Sequence, residues 1–290
     1  MGLRELRQRV IKERRVRRAL AKASRRAGSV KKPLQGDLVV SLTSYPARFK
    51  GLHHVLQSLL MQTVVPDQVV LYLDQGDEKA LPKLVTELAG ERISIQPRPP
   101  IRSYGKLVNA LSDFPNANII TVDDDVVYSS NLVEQLTTGA AQNPGAIVCS
   151  RAHRVSFTLD GFLLPYGSWA DDVQDEFARK SSVDLMPTGV GGVLYPPGSL
   201  HPDVMDMETA LRICRTADDV WFYWMGRRAN TVQLKVGGKI PLMHTYDSQA
   251  TGLIHENWAG ANDRQIRAMW ETYGRPQGIP DRFRLAPEIG

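Results

Sequence analysis

Between Leu38 and Val122 the chain alternates between short β-branched runs and stretches of helical spacing, and that rhythm restricts the fold more than any other feature. The runs are residues 38–42, 68–73, 93–95 and 119–122. Between them lie 52–62, with Leu52, Val55, Leu56, Leu59 and Leu60 at helical spacing, then 81–88 and the helix opened by 106–111. Successive strands joined through helices run parallel, which predicts an α/β fold: a Rossmann-like, mostly parallel sheet with helices on both faces. Near-continuous apolar strands suit a sheet covered on both faces. No G-x-G-x-x-G follows the first run and no G-x-x-x-x-G-K-[ST] occurs anywhere, so dinucleotide and P-loop sites are excluded.

The fourth run leads straight into Asp123-Asp124-Asp125. Side chains alternate along an extended chain, so Asp123 and Asp125 are expected on one side and Asp124 on the other. Open α/β sheets bind ligands at the carboxyl ends of their strands. Two neighbouring carboxylates there repel unless a cation joins them, and a hard divalent ion whose shell is completed by phosphate oxygens is the natural occupant.

The net charge of +5 is unevenly placed. Residues 1–32 hold 13 Lys and Arg against 2 Glu, so the rest of the chain carries 23 basic against 29 acidic groups. A mildly acidic body argues against a nucleic-acid groove, and no nucleic-acid partner is expected. Residues 1–33 read as a basic arm, amphipathic or disordered. Leu3, Leu6 and Val10 share one helical face, and Ala19, Ala23 and Ala27 continue at four-residue spacing beside Leu20. The expectation is that residues 1–32 lie on an anionic membrane surface. Residues 34–290 are expected to be one catalytic domain, with 34–150 binding nucleotide and 151–290 binding acceptor. No apolar run approaches the roughly 18 residues of a membrane span. The two cysteines, Cys149 and Cys214, lie in apolar segments, and no secretory leader pattern is present, which predicts a cytoplasmic protein, peripheral on the inner face of the cell membrane.

Further along come the glycine-rich run Thr188-Gly189-Val190-Gly191-Gly192 and the segment Thr216-Ala217-Asp218-Asp219, which opens an apolar helix. With Asp-x-Asp closing a strand, this ordered set resembles GT-A glycosyltransferases, most nearly the bacterial family-two-like enzymes that build cell-surface polysaccharide. The resemblance spans roughly residues 38–274. It implies an inverting transferase that moves a sugar from a nucleotide-sugar, a UDP-sugar first among them, to a glycan or lipid-linked acceptor, with Mn²⁺ or Mg²⁺ as cofactor. Carried over by position, Asp125 holds the metal and Asp123 meets ribose, donor sugar or metal. Asp124 joins the donor site, and Asp74 meets the base. Thr43, Tyr45, Arg48 and Lys106 complete the nucleotide pocket, with Lys106 meeting the phosphates as a point charge. The resemblance makes Asp219 the general base, with Asp218 orienting base or acceptor. Gly191, Gly192 and Trp221 are expected at the acceptor, and Trp169 is a second ring able to stack on sugar. A late histidine is implied as metal ligand; His255 fits by position and His244 is its rival. His53, His54, His153 and His201 lack ligand spacing.

Each assignment has a competitor in ordinary structure. Thr216 as N-cap with Asp219 three residues on is nearly a capping box, which explains the acidic pair without catalysis. The glycines suit a tight turn, and Trp221 suits the core of an apolar helix. Two other functions compete: a sugar-phosphate nucleotidyltransferase, disfavoured because residues 41–50 contain no glycine, and a non-catalytic membrane or nucleic-acid adaptor acting through the arm.

Overall fold

The computed structural model describes residues 3–239, 241–245 and 260–286. The chain forms two compact units, Met1–Thr138 with Pro241–Gly252, and Gly139–Ile240 with Leu253–Gly290. The basic arm belongs to the first unit.

In the first unit β1 (Leu38–Ser44) lies between β4 (Asn118–Thr121) and β2 (Gln68–Asp74), with β3 (Ile93–Arg98) beyond β2; all pairings are parallel. Register places Val40 beside Val69 on one side and Ile120 on the other, so the carboxyl ends of β1, β2 and β4 lie together. β1 is buried along nearly its whole length, as strands covered on both faces must be. α2 (Phe49–Leu60) turns Phe49, Leu52, Val55, Leu56 and Leu59 inward at helical spacing. The next expected helix, 81–88, contracts to α3 (Lys83–Thr86), because Pro82 stands before it in extended conformation. α4 (Gly105–Asp113) precedes β4.

β4 ends one residue sooner than the apolar pattern predicts. Val122 N–H still donates to Ser41 O at 3.0 Å, but Asp123 N–H donates to the Tyr128 hydroxyl at 2.8 Å and the chain turns. It re-enters extended form as β5 (Val126–Val127), antiparallel to β11 (Met243–His244).

The N-terminal helix α1 (Leu3–Ser24) is docked on this unit. Val16 and Leu20 are buried against Val127, with Met61 and Met243 packed around them. Glu13 meets His54 Nε2 at 3.1 Å, and Lys12 Nζ donates to Thr245 O at 3.0 Å. The apolar face assigned from Leu6 and Val10 is thus not the face the fold buries; both are exposed, and Val16, Leu20 and Ala23 form the inward stripe. Packing against a body selects the stripe with a partner, which helical periodicity alone does not identify.

α5 (Leu132–Gln142) leads into the second unit. There β6 (Ile147–Cys149) pairs in parallel with β10 (Gln233–Lys235) and antiparallel with β9 (Val193–Tyr195). β7 (Ala152–Arg154) and β8 (Leu185–Pro187) form a separate antiparallel pair. α6 (Met207–Ile213) precedes α7 (Asp218–Arg228), whose Val220–Met225 stretch is buried throughout, and α8 (Asn262–Tyr273) packs against α7.

Candidate functional site

Candidate groups gather separately in each unit. In the first, the turn after β4 presents the acidic triplet to two cationic side chains and a histidine. Arg48, set by the Pro46–Arg48 turn that leads into α2, reaches Asp124 Oδ1 at 2.8 Å and Asp125 Oδ2 at 3.0 Å. Ser44 Oγ, at the end of β1, donates to Asp124 Oδ2 at 2.6 Å. Lys106, in the first turn of α4, donates to Asp123 Oδ1 at 3.0 Å. His244 Nδ1 lies 3.6 Å from Asp125 Oδ2.

This corrects the expected pairing of Asp123 with Asp125. Alternation holds only while the strand continues, and the strand has ended by Asp123. The neighbours Asp124 and Asp125 share Arg48, while Asp123 faces Lys106. Burial drives the Asp124 carboxyl up to about 6, against the pull of Arg48 and Ser44. Burial also acts to raise Asp125, but His244 and Arg48 outweigh it and hold that carboxylate below its usual range. Arg48 is itself partly desolvated, yet the two carboxylates hold its guanidinium more firmly charged than usual.

The remaining expected donor residues line the same strand ends. Thr43 Oγ1 donates to Tyr72 O at 3.1 Å, and Tyr45 is exposed with the Arg48 guanidinium 5.7 Å from its ring centre. Asp74 closes β2, its carboxyl raised by burial and by Asp77. Lys106 is buried rather than solvated, and Ser41 Oγ donates to its carbonyl.

A cation's donor set can be judged from these side chains. Among the described residues no three His, Cys, Asp or Glu side chains cluster as a ready cage. Asp125 and His244 do converge, and their 3.6 Å separation is close to the roughly 3–3.5 Å between two ligands of one ion at about 2.1 Å. A carboxylate with an imidazole suits Mn²⁺, and a diphosphate would have to supply further oxygens. The pair fits an ion, although Arg48 shares the same Asp125 oxygen. Among the described residues His244, the rival in sequence, is placed beside the acids; the expectation for His255 lies outside the described residues.

In the second unit Asp219 enters from the first turn of α7, and its Oδ1 accepts from Gly189 N–H at 3.0 Å. The N-cap is Ala217, without a side-chain cap, and Gln265 of α8 accepts from Thr216 N–H at 2.7 Å and from Ala217 N–H at 3.2 Å. Gln265 also donates to Thr216 Oγ1 at 2.9 Å. A partner from another helix meets the orphan donors and leaves Asp219 turned toward the glycine loop. Asp218 is buried beside it. Asp219 lines a crevice with Tyr195, Phe222 and Gln233 too narrow for a water molecule.

Gly191 has a packing cause: a Cβ there would stand 2.6 Å from Arg151 Cβ and 2.8 Å from Ser150 Oγ. Gly192 has φ of 90°, which disfavours any side chain. Trp221 is fully enclosed, donating from Nε1 to Val204 O at 3.3 Å, so it offers no face to a sugar and is removed from the acceptor set. Trp169 is likewise buried, its Nε1 donating to Leu164 O at 2.9 Å.

Around Asp219 stands a polar group the sequence did not single out. Arg151 donates to Thr188 Oγ1 at 2.9 Å and to Asp171 at 2.6 Å, and His153 Nδ1 lies 2.9 Å from Asp171. Burial raises the Tyr166 hydroxyl, and Asp219 adds to the shift. One signal was available: Arg151 follows β6 almost directly, a strand-end position like that of Asp123.

Compared by sequence, the chain matches no family model and no curated protein. Compared by structure, it is similar to a CMP:2-keto-3-deoxy-manno-octonic acid synthetase complexed with CTP, at 13% identity over 79% of this chain and 100% of that one, TM-score 0.46. It is similar to a 4-diphosphocytidyl-2C-methyl-D-erythritol synthase at 13% identity over 77% and 98%, TM-score 0.45. Glucosyl-3-phosphoglycerate synthase from Mycobacterium tuberculosis, in complex with Mn²⁺, uridine diphosphate and glucosyl-3-phosphoglycerate, aligns at 11% identity over 89% and 85%, TM-score 0.42. Overlaps this loose decide nothing about function.

Proposed function

We propose that this chain is a glycosyltransferase of GT-A type, passing a sugar from a nucleotide-sugar, first among them a UDP-sugar, to an acceptor hydroxyl with inversion. The reading rests above all on one observation: Asp125 and His244 converge beside the carboxyl end of a parallel sheet, next to Arg48 and Lys106. A site for a nucleoside diphosphate needs a carboxylate-rich cradle for a divalent ion and fixed positive charge for the leaving phosphates. Asp74, Thr43 and Tyr45 stand at the neighbouring strand ends for base and ribose.

In this reading Asp125 and His244 would hold Mn²⁺ or Mg²⁺, which would stabilise negative charge on the diphosphate. Lys106 and Arg48 oppose the charge that grows on the leaving phosphate oxygens. In the second unit Asp219 takes the proton from the acceptor hydroxyl as its oxygen attacks the anomeric carbon and the bond to the diphosphate breaks. The Gly189 N–H fixes the orientation of that carboxylate. Surface polysaccharide, or a lipid-linked precursor of it, is the acceptor class this reading favours.

Incubation with UDP-sugars, Mn²⁺ and candidate acceptors tests the proposal through the leaving group. Release of nucleoside diphosphate supports it; release of pyrophosphate from a nucleotide triphosphate and sugar phosphate would establish nucleotidyl transfer instead. Asp219→Asn should retain donor binding and lose roughly 10²–10⁴ in turnover. Near wild-type turnover in that variant, or a product with retained anomeric configuration, overturns the inverting mechanism.

A further inference from the structure

The docked helix α1 has a second, outward stripe, and its composition identifies a partner. The inward stripe runs through Val16, Leu20 and Ala23, all buried, with Lys12 and Glu13 bonded to the body. At 3.6 residues per turn the opposite side carries Arg7, Ile11, Arg14, Arg18 and Lys22, spaced four, three, four and four apart. The four basic residues are exposed. Ile11 is 43% exposed, and Leu6 and Val10 on the flank of the stripe are 44% and 42% exposed. Eight large hydrophobic side chains are exposed among the described residues, and three of them stand here. A solvated helix face has no use for that concentration of apolar surface amid fixed positive charge.

We infer that the outward face of α1 is a lipid-docking surface for anionic phospholipid headgroups, with Ile11, Val10 and Leu6 entering the headgroup–acyl boundary and the Arg7, Arg14, Arg18 and Lys22 row meeting the phosphates. The chemistry is that of an interfacial helix, charge for the anionic surface and a few apolar anchors for depth. Docking fixes its geometry: the helix meets lipid without unfolding from the body, because the stripe that holds it to the body is a different one. The same helix grips the acidic turn. Lys12 Nζ donates to Thr245 O, and Thr245 N–H donates to Asp125 O at 2.8 Å, so the membrane-facing helix and the acid cluster are two hydrogen bonds apart. The helix face stands whether or not the transferase reading holds.

Full-length protein is sedimented with phosphatidylglycerol–phosphatidylcholine vesicles and with pure phosphatidylcholine vesicles, at low and high salt and without nucleotide. Selective, salt-sensitive pelleting with the anionic vesicles is expected. The Arg7→Gln/Arg14→Gln/Arg18→Gln variant should lose roughly a hundredfold in vesicle affinity, about fivefold for each charge near the surface. Ile11→Ser should weaken binding at high salt, where the apolar contribution dominates. Both variants alter exposed positions, and their thermal melting is measured alongside. Truncation at Lys32 is not the test, since it strips Val16 and Leu20 from the core. Equal pelleting of wild type and both variants, equal binding to neutral vesicles, or a preference for single-stranded RNA over anionic vesicles would each overturn the inference.

Discussion

Gly51→Ala is a one-methyl perturbation whose sign follows from the geometry. Gly51 lies inside α2, where alanine would ordinarily stabilise by about 0.5–1 kcal/mol through helix propensity. Here the added Cβ would stand 2.6 Å from Thr245 Cβ and 2.7 Å from its Oγ1. Ordinary contact needs roughly 1 Å more. The obstacle is not a flexible tip, because Thr245 is buried and its backbone is bonded on both sides, to Lys12 Nζ at 3.0 Å and to Asp125 O at 2.8 Å. Overpacking of this kind costs about 1–3 kcal/mol, more than the propensity gain, so a net loss of about 1–2 kcal/mol is expected. Urea denaturation followed by circular dichroism measures it. Gly90→Ala is the control: no atom lies within 4 Å of its Cβ, and its stability should change by less than about 0.5 kcal/mol. Because Thr245 adjoins His244 and holds Asp125, Mn²⁺ affinity measured by electron paramagnetic resonance should fall in Gly51→Ala and not in Gly90→Ala. A Gly51→Ala protein as stable as wild type, with unchanged Mn²⁺ affinity, would refute the reasoning.

Arg48→Gln leaves two carboxylates, each 7% exposed, without their shared cation. Such a loss costs about 3–5 kcal/mol at neutral pH, and less near pH 5, where Asp124, already raised to about 6, takes up a proton. Saturating Mn²⁺ should restore part of that stability through Asp125 and His244; a loss below about 1 kcal/mol in urea, or no response to Mn²⁺, contradicts the assignment. His153 is held down to about 4 by burial and then by Arg151, with Asp171 opposing. The native state therefore binds fewer protons than the unfolded state between about pH 4 and 6.5, and this contribution is present above that window and lost as pH falls through it. The stability gap between wild type and His153→Gln should widen by on the order of 2–3 kcal/mol from pH 4 to 7; a pH-independent gap rejects it.

Sequence by itself determined the parallel strands of the first unit, because buried strands declare themselves by β-branched runs of the right length: β1, β2 and β3 begin at the expected residues, and β4 begins one residue early. It also placed the acids at the end of β4 and the acidic pair at the start of α7, since one lies where an apolar pattern stops and the other where one begins. Tertiary structure decided which charges meet. Asp124 pairs with Arg48 from 76 positions away, and His244 is carried to Asp125 by the β11–β5 pairing, a contact that local pattern does not encode. Gln265 meets the start of α7 from 49 positions away, accepting from Thr216 N–H, another contact that local pattern does not encode. The arm shows the limit from the other side. Its helical period was legible, but which stripe turned inward depended on a hydrophobic surface, Val127, Met61 and Met243, assembled from three distant segments. Periodicity names the faces of a helix, and only a packed neighbour decides which of them the core takes.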